Sequence, residues 1–305
     1  MPVTRFVILG PQRRPTLGAL GVLREQPGPV ATVTAGWQER EPDDAELDQL
    51  LGGRSANLRL YARWQDVLDR DPEYAGAERE HRAALGERQE LYLVRLGGVL
   101  GALREVGRRG GSRVRVLEAA RADAEAAVRL VDERHLAGVA DARAAFAAAW
   151  RPGEREVVAE HRRDVRRLLE RARALVVTGG HVGVVLHVLG LFDVAAPPVV
   201  IAWSAGAMAL TERVLLFHDR VPHGPSDAEF AGAGLGWLPG CVLLPHARRR
   251  LRTDDPERMA ELAMRAAPAR CVVLDDGMRL EFGGAGPATP ARVVTPDGRI
   301  TEAAS

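Results

Sequence analysis

The sequence predicts an α/β fold in which a doubly wound, mostly parallel sheet is interrupted by one large all-helical insertion. Three observations carry that expectation. Short β-branched apolar runs alternate with helix-like stretches over the first sixty residues and again from Ala174 onward, the pattern of strands with crossover helices. Between them, from about Trp64 to Ala172, the chain is dense in Ala, Arg, Glu and Leu with hardly any β-branched alternation. At 305 residues and 46% hydrophobic content, the chain is long enough to bury a large core. The expected organisation is a sheet domain from 1–62 plus 173–305, with residues 63–172 as the insertion.

The first strand is expected in RFVILG (5–10), followed by a helical stretch around LGALGVLREQ and a second strand in PVATVTAG (29–36). Asp43 and Asp44 precede Leu47, Leu50 and Leu51, as at a helix start, where carboxylates favour the positive N-terminal end. NLRLYA (57–62) reads as a third strand. Within the insertion, Leu93, Leu96, Leu100 and Leu103 share one helix face, and GRRGG (107–111) supplies a stop. Leu117, Ala120, Ala124, Ala127 and Val131 form the stripe of a second helix that Pro152 and Gly153 end; a third follows in EREVVAEHRRDVRRLLERA. The interleaved charges mark solvated helix faces, with His81, His135 and His161 expected at the surface. A hairpin or small bundle of this kind packs on itself, on the sheet domain or on a second subunit.

After the insertion come ALVVTGGH (174–181), a helix through VVLHVLGLF, the strand PPVVIAW (197–203), and AMALTERVLLF (207–217), which has helical composition. VLLPHA (242–247), the helix PERMAELAMRAA (256–267) and ARCVVLDDG (269–277) follow, and MRLEF with ARVVTPDGRI reads as short edge strands. Forty-two basic against forty-one acidic residues give a formal charge of +1, so no global field points to nucleic acid or membrane as a partner. No segment has the roughly 18 uninterrupted apolar residues of a membrane span, and MPVTRFVILG enters a strand directly, so the expected location is the cytoplasm. Cys241 and Cys271 are too few for a disulfide framework or thiolate zinc site, and the histidines lack metal-ligand spacing, so neither metal nor cofactor is expected.

Parallel sheets build sites at the carboxyl ends of their strands. Here those ends carry Gly179 and Gly180, Ser204, His246, and Asp275 with Asp276. WSAGA places Ser204 between a strand and a helix, as in a nucleophile elbow, with Ala202 where the G-x-S-x-G pattern has its first glycine. Ser204 as nucleophile needs a histidine to take its proton and a carboxylate to orient that histidine. The glycine pair and Ala205 offer backbone N–H groups for an oxyanion. Read separately, the serine is equally a residue on a tight turn, and the glycine pair a turn or a phosphate cradle.

In order, GGH-x-x-x-x-LHVLGLF, AWSAGAMAL, HDRVP, GLGWLPG with LLPHARRRL, and VLDDGMRL resemble the dipeptidase E and cyanophycinase family of serine peptidases. The resemblance spans about Ala174 to Leu280, more weakly the first sixty residues, and leaves out the insertion. It implies a class I glutamine amidotransferase-like fold, Ser204 as nucleophile, His246 as general base, and Gly180 with Ala205 as oxyanion hole. The implied acid is Asp276, where the family commonly has glutamate, or alternatively Asp219 in HDRVP. The implied substrates are small aspartyl or β-aspartyl peptides or a related amide, bound with help from Gly179 and His181, with Arg248, Arg249, Arg250 or Arg252 available to pair with the acidic group. The rival expectation is a catalytically inactive amidotransferase-like module whose insertion serves oligomerisation or partner binding.

Overall fold

The computed structural model describes residues 4–12, 21–24, 28–109, 113–217, 227–283 and 286–303. A seven-stranded sheet runs in the order β11 (Gly286–Pro287), β10 (Arg279–Gly283), β1 (Arg5–Leu9), β5 (Val199–Trp203), β4 (Ala174–Val177), β2 (Val30–Val33) and β3 (Ser55–Asn57). From β1 to β3 all neighbours are parallel; β10 and β11 extend the β1 edge antiparallel. Side chains of the parallel strands alternate between two apolar layers. Phe6, Ile8, Leu175, Val177, Val200 and Ala202 enter one, while Val7, Leu9, Ala174, Val176, Ile201 and Trp203 enter the other. Burial on both faces is why these strands read as continuous apolar runs rather than alternating ones. Each fully buried Val, Ile or Leu contributes about 1.5–3 kcal/mol.

α1 (Ala45–Leu50) brings Leu47 to the second layer. α2 (Leu60–Arg70), α5 (Glu156–Arg171) and α6 (Val182–Leu191) cover the first with Trp64, Val158, Val165, Val185 and Val188. Two 37-residue helices, α3 (Pro72–Arg108) and α4 (Val114–Trp150), pair as a hairpin. Leu96, Leu100, Val128 and Val131 form its own small core, as the leucine spacing predicts, but Leu93 remains 39% exposed. Among the described residues no helix is long and apolar enough to cross a membrane.

The rest of the chain departs from a single sheet. A second sheet has the order β13 (Ile300–Ala303), β12 (Ala291–Val294), β9 (Arg270–Leu274) and β8 (Cys241–Pro245), with β8 and β9 parallel. The edge of β1 that β8 would need is taken by β10, which pairs Phe6 with Phe282 and Ile8 with Leu280. The helix expected after Ser204 is short: α7 (Ala205–Ala209) gives way to β6 (Arg213–Leu216), which pairs with β7 (Glu229–Ala233) as a two-stranded ribbon. Thr211 closes the turn with its hydroxyl on Met208 O and Arg213 O, at 2.8 and 2.9 Å, and Val214 and Leu215 are buried in the extended form. The expected third strand is displaced as well. Arg59 N donates to Asn57 Oδ1 at 3.0 Å and Arg59 is left-handed (φ 52°), so the chain leaves the sheet after Asn57 and Leu60 begins α2.

His135 and His161, expected at the surface, are buried. His161 is held between Arg63 and Asp66, at 2.9 and 2.8 Å, tying α5 to α2. His135 stacks on Tyr92 with 3.9 Å between ring centroids. Cys241 and Cys271 are buried, and burial pushes both thiols up to about 12, which leaves them inert as nucleophiles at neutral pH.

Candidate active site

β5 is buried along its whole length and delivers Ser204 at its carboxyl end with φ 50° and ψ −122°. That is a positive-φ conformation few non-glycine residues adopt, and its strain is of order 1–3 kcal/mol. The neighbours make the turn sterically feasible. A Cβ at Gly206 would lie 2.5 Å from both Val177 O and Thr178 O, so only glycine lets α7 rest on the end of β4. Ala202, by contrast, is fully buried in the apolar layer, where its methyl group has a place.

His246 follows β8 and is itself left-handed, with φ 59° and ψ 31°. Its N–H donates to Leu274 O at 2.9 Å, so the neighbouring strand β9 fixes the turn. Ser204 Oγ lies 3.3 Å from His246 Nε2, which brings together two residues 42 positions apart from two different sheets. Such contacts are commonly long without substrate and tighten when it binds. Burial pushes the His246 imidazole below its ordinary 6.5, and the Arg250 guanidinium adds to the effect, while the charges of Asp276 and Asp275 oppose it. The ring is therefore neutral at pH 7 and able to accept a proton.

Both residues open on a cleft of about 950 Å³ that is also lined by Gly36, Trp37, Gly179, Gly180, His181, Trp203, Ala205, Met208, Arg249, Arg250 and Asp276. Gly179 is in close contact with the serine, since a Cβ there would sit 3.0 Å from Ser204 Cβ. Gly180 has φ 118°, and a Cβ on it would lie 2.1 Å from Gly36 O, the atom that accepts from His181 N at 2.8 Å. Ala205 is the first residue of α7, where an amide has no intrahelical acceptor. His181 caps α6, its Nδ1 accepting from Val184 N at 3.2 Å.

The acidic positions separate. Asp276 is exposed and lines the cleft with Ser204 and His246, acting on the histidine through charge. Asp275 is buried, and its Oδ1 accepts from Arg248 N at 3.0 Å. Asp219 lies outside the described residues. Arg248 pairs with Asp275, its Nε 3.4 Å from Oδ2, whereas Arg249 and Arg250 line the cleft. Sequence reasoning missed Gly36 and Trp37, and left open which of the arginines after His246 face the cleft. Gly36 was within reach, because it follows β2 and obeys the same strand-end rule. The choice among the arginines was not, since the facing of α8 (Ala247–Arg250) depends on the left-handed His246. Among the described residues no group of three or more His, Cys, Asp or Glu side chains could hold a metal ion.

No protein-family model matches the chain, and no curated protein matches it. A solved structure described as a peptidase from an acI-B1 Actinobacterium is similar over 99% of this chain and 95% of its own, at 11% sequence identity and a TM-score of 0.47. A likeness that distant bears on neither the chemistry nor the fold family.

Proposed function

We propose that this protein is a serine hydrolase of the dipeptidase E type, with a class I glutamine amidotransferase-like sheet domain, that cleaves small acidic peptides through an acyl-enzyme at Ser204. The observation that carries the reading is the 3.3 Å approach of Ser204 Oγ to His246 Nε2 at the strand ends of a substrate-sized cleft. His246 takes the hydroxyl proton as Oγ attacks the carbonyl carbon, and returns it to the leaving amine when the C–N bond breaks. A water, deprotonated by the same imidazole, then attacks the acyl-enzyme, and Oγ leaves with the proton. The amides of Gly180 and Ala205 hold the oxyanion; in other enzymes one such donor supplies about 3–4 kcal/mol. Asp276 favours the imidazolium through its charge.

Arg249 and Arg250 form no ion pair among the described residues and stand in the cleft three and four positions beyond His246. Two guanidiniums there suit an aspartyl or β-aspartyl carboxylate. The test is hydrolysis of Asp-Leu, β-Asp-Leu and Ala-Leu by the purified protein. The acidic peptides are expected to be cleaved preferentially, and Ser204→Ala to lose about 10³-fold or more in kcat. Unchanged turnover in Ser204→Ala, or faster cleavage of Ala-Leu, contradicts the reading.

A further inference from the structure

His246 occupies a conformation that its own side chain disfavours, so something must hold it there. In the left-handed region the Cβ of a non-glycine residue crowds the following carbonyl oxygen. Four hydrogen bonds enclose the turn. Two are local, from Arg249 N and Arg250 N to His246 O, both at 2.9 Å. The other two come from the end of β9: His246 N donates to Leu274 O at 2.9 Å, and Arg248 N donates to Asp275 Oδ1 at 3.0 Å. The last is the one side-chain contact of the four. Asp275 is 8% exposed, and its Oδ2 has no hydrogen-bond partner among the described residues but lies 3.4 Å from Arg248 Nε and 3.5 Å from Arg292 Nη1. The backbone of Asp275 is fixed too. Met278 N donates to its carbonyl oxygen at 3.2 Å, and that oxygen leaves no room for a Cβ on Gly10.

We infer that Asp275, rather than acting on substrate, is a positioning residue: its carboxylate grips the Arg248 amide and so sets the His246 ring against Ser204. The inference rests on the serine-hydrolase reading for its consequence, but the grip itself can be tested without it. Asp275 and Asp276 thus divide two tasks between adjacent positions. The buried one shapes the turn with an acceptor oxygen; the exposed one faces the cleft with its charge. The grip on the Arg248 amide needs an acceptor, which asparagine keeps and alanine lacks.

The experiment measures inactivation by a fluorophosphonate probe, resolved into a maximal rate and a half-saturating concentration, for wild type, Asp275→Asn and Asp275→Ala. A displacement of about 1 Å at a reacting group costs up to about 10²-fold. Asp275→Ala is therefore expected to lower the maximal rate by about tenfold to a hundredfold with half-saturation unchanged, and Asp275→Asn to stay within about threefold of wild type. Equal rates for all three overturn the inference, and so does an equal loss in Asp275→Asn, which would assign the effect to charge. Arg248→Pro covers the case of an Asp275→Ala that does not fold, since proline is tolerated in the first turn of a helix and removes the amide while leaving the carboxylate; it is expected to match the alanine variant's predicted loss, and a wild-type rate overturns the inference. A wild type that the probe does not label refutes the serine-hydrolase reading instead. The His246 ring resonances in wild type and Asp275→Ala then decide the positioning separately: a shifted, broadened ring signal supports it, and an unchanged one overturns it.

Discussion

At the residue scale the site is built from two strained backbones facing each other. Ser204 and His246 both have positive φ, and each ends a fully buried strand whose packing enforces the turn. The strain at Ser204 makes a prediction that separates shape from chemistry. Glycine adopts φ 50° without penalty, so Ser204→Gly is expected to be more stable than Ser204→Ala by about 1 kcal/mol, the strain relieved exceeding the unfolded-state entropy that glycine adds. Equilibrium urea unfolding of the two inactive variants checks this, and an alanine variant at least as stable as the glycine one would refute it. The identities of these residues were legible in the sequence, because Ser204, His246 and the glycine pair each terminate an apolar run. Their conformations were not, since positive φ at a serine or histidine is imposed by tertiary packing and leaves no mark in the local composition.

At the element scale the helical hairpin is a clamp on the ribbon beside the cleft. Arg265, from α9 (Pro256–Ala266), is fully buried and donates to both oxygens of Asp132 on α4, at 2.8 and 2.9 Å, and to Ala228 O at 2.6 Å. Tyr92 on α3 donates to Asp132 Oδ1 at 2.7 Å and accepts from Phe230 N at 3.2 Å. One buried network thus fastens both long helices to β7, whose partner β6 leads to the cleft residues Leu216 and Phe217. Removing one partner of a buried ion pair strands the other, so Asp132→Ala is expected to cost about 3–5 kcal/mol by chemical denaturation. A loss below about 1 kcal/mol would mean that the hairpin holds to the ribbon by apolar contact alone. The leucine spacing identified the face along which α3 packs on α4, Leu93 apart, while the stripe read on α4 shares only Val131 with their common core. It was silent on this network, because a buried Asp and Arg look like any other charges in a helix rich in both. The same ambiguity put His135 and His161 at the surface in the sequence reading.

At the scale of the whole molecule, the order of strands and helices was legible except for the β6–β7 ribbon, and the number of sheets was not. Apolar runs specify that a strand is buried, but the pairing of β10 with β1, which leaves β8 and β9 to a second sheet, depends on cross-strand contacts between residues 270 to 276 positions apart. The serine and the histidine therefore come from different sheets and meet where α7 and α8 begin. On the proposed serine-hydrolase reading, this meeting makes Ser204 the nucleophile. Fluorophosphonate labelling over a range of pH, with the adduct located by mass spectrometry, tests it most directly. The predicted result is a single adduct on Ser204, absent from Ser204→Ala. Because burial lowers the His246 imidazole below 6.5, the base stays neutral as the pH falls past that value, and the labelling rate is predicted to drop only at lower pH. Absence of labelling in the wild type, or equal labelling of Ser204→Ala, would contradict the account.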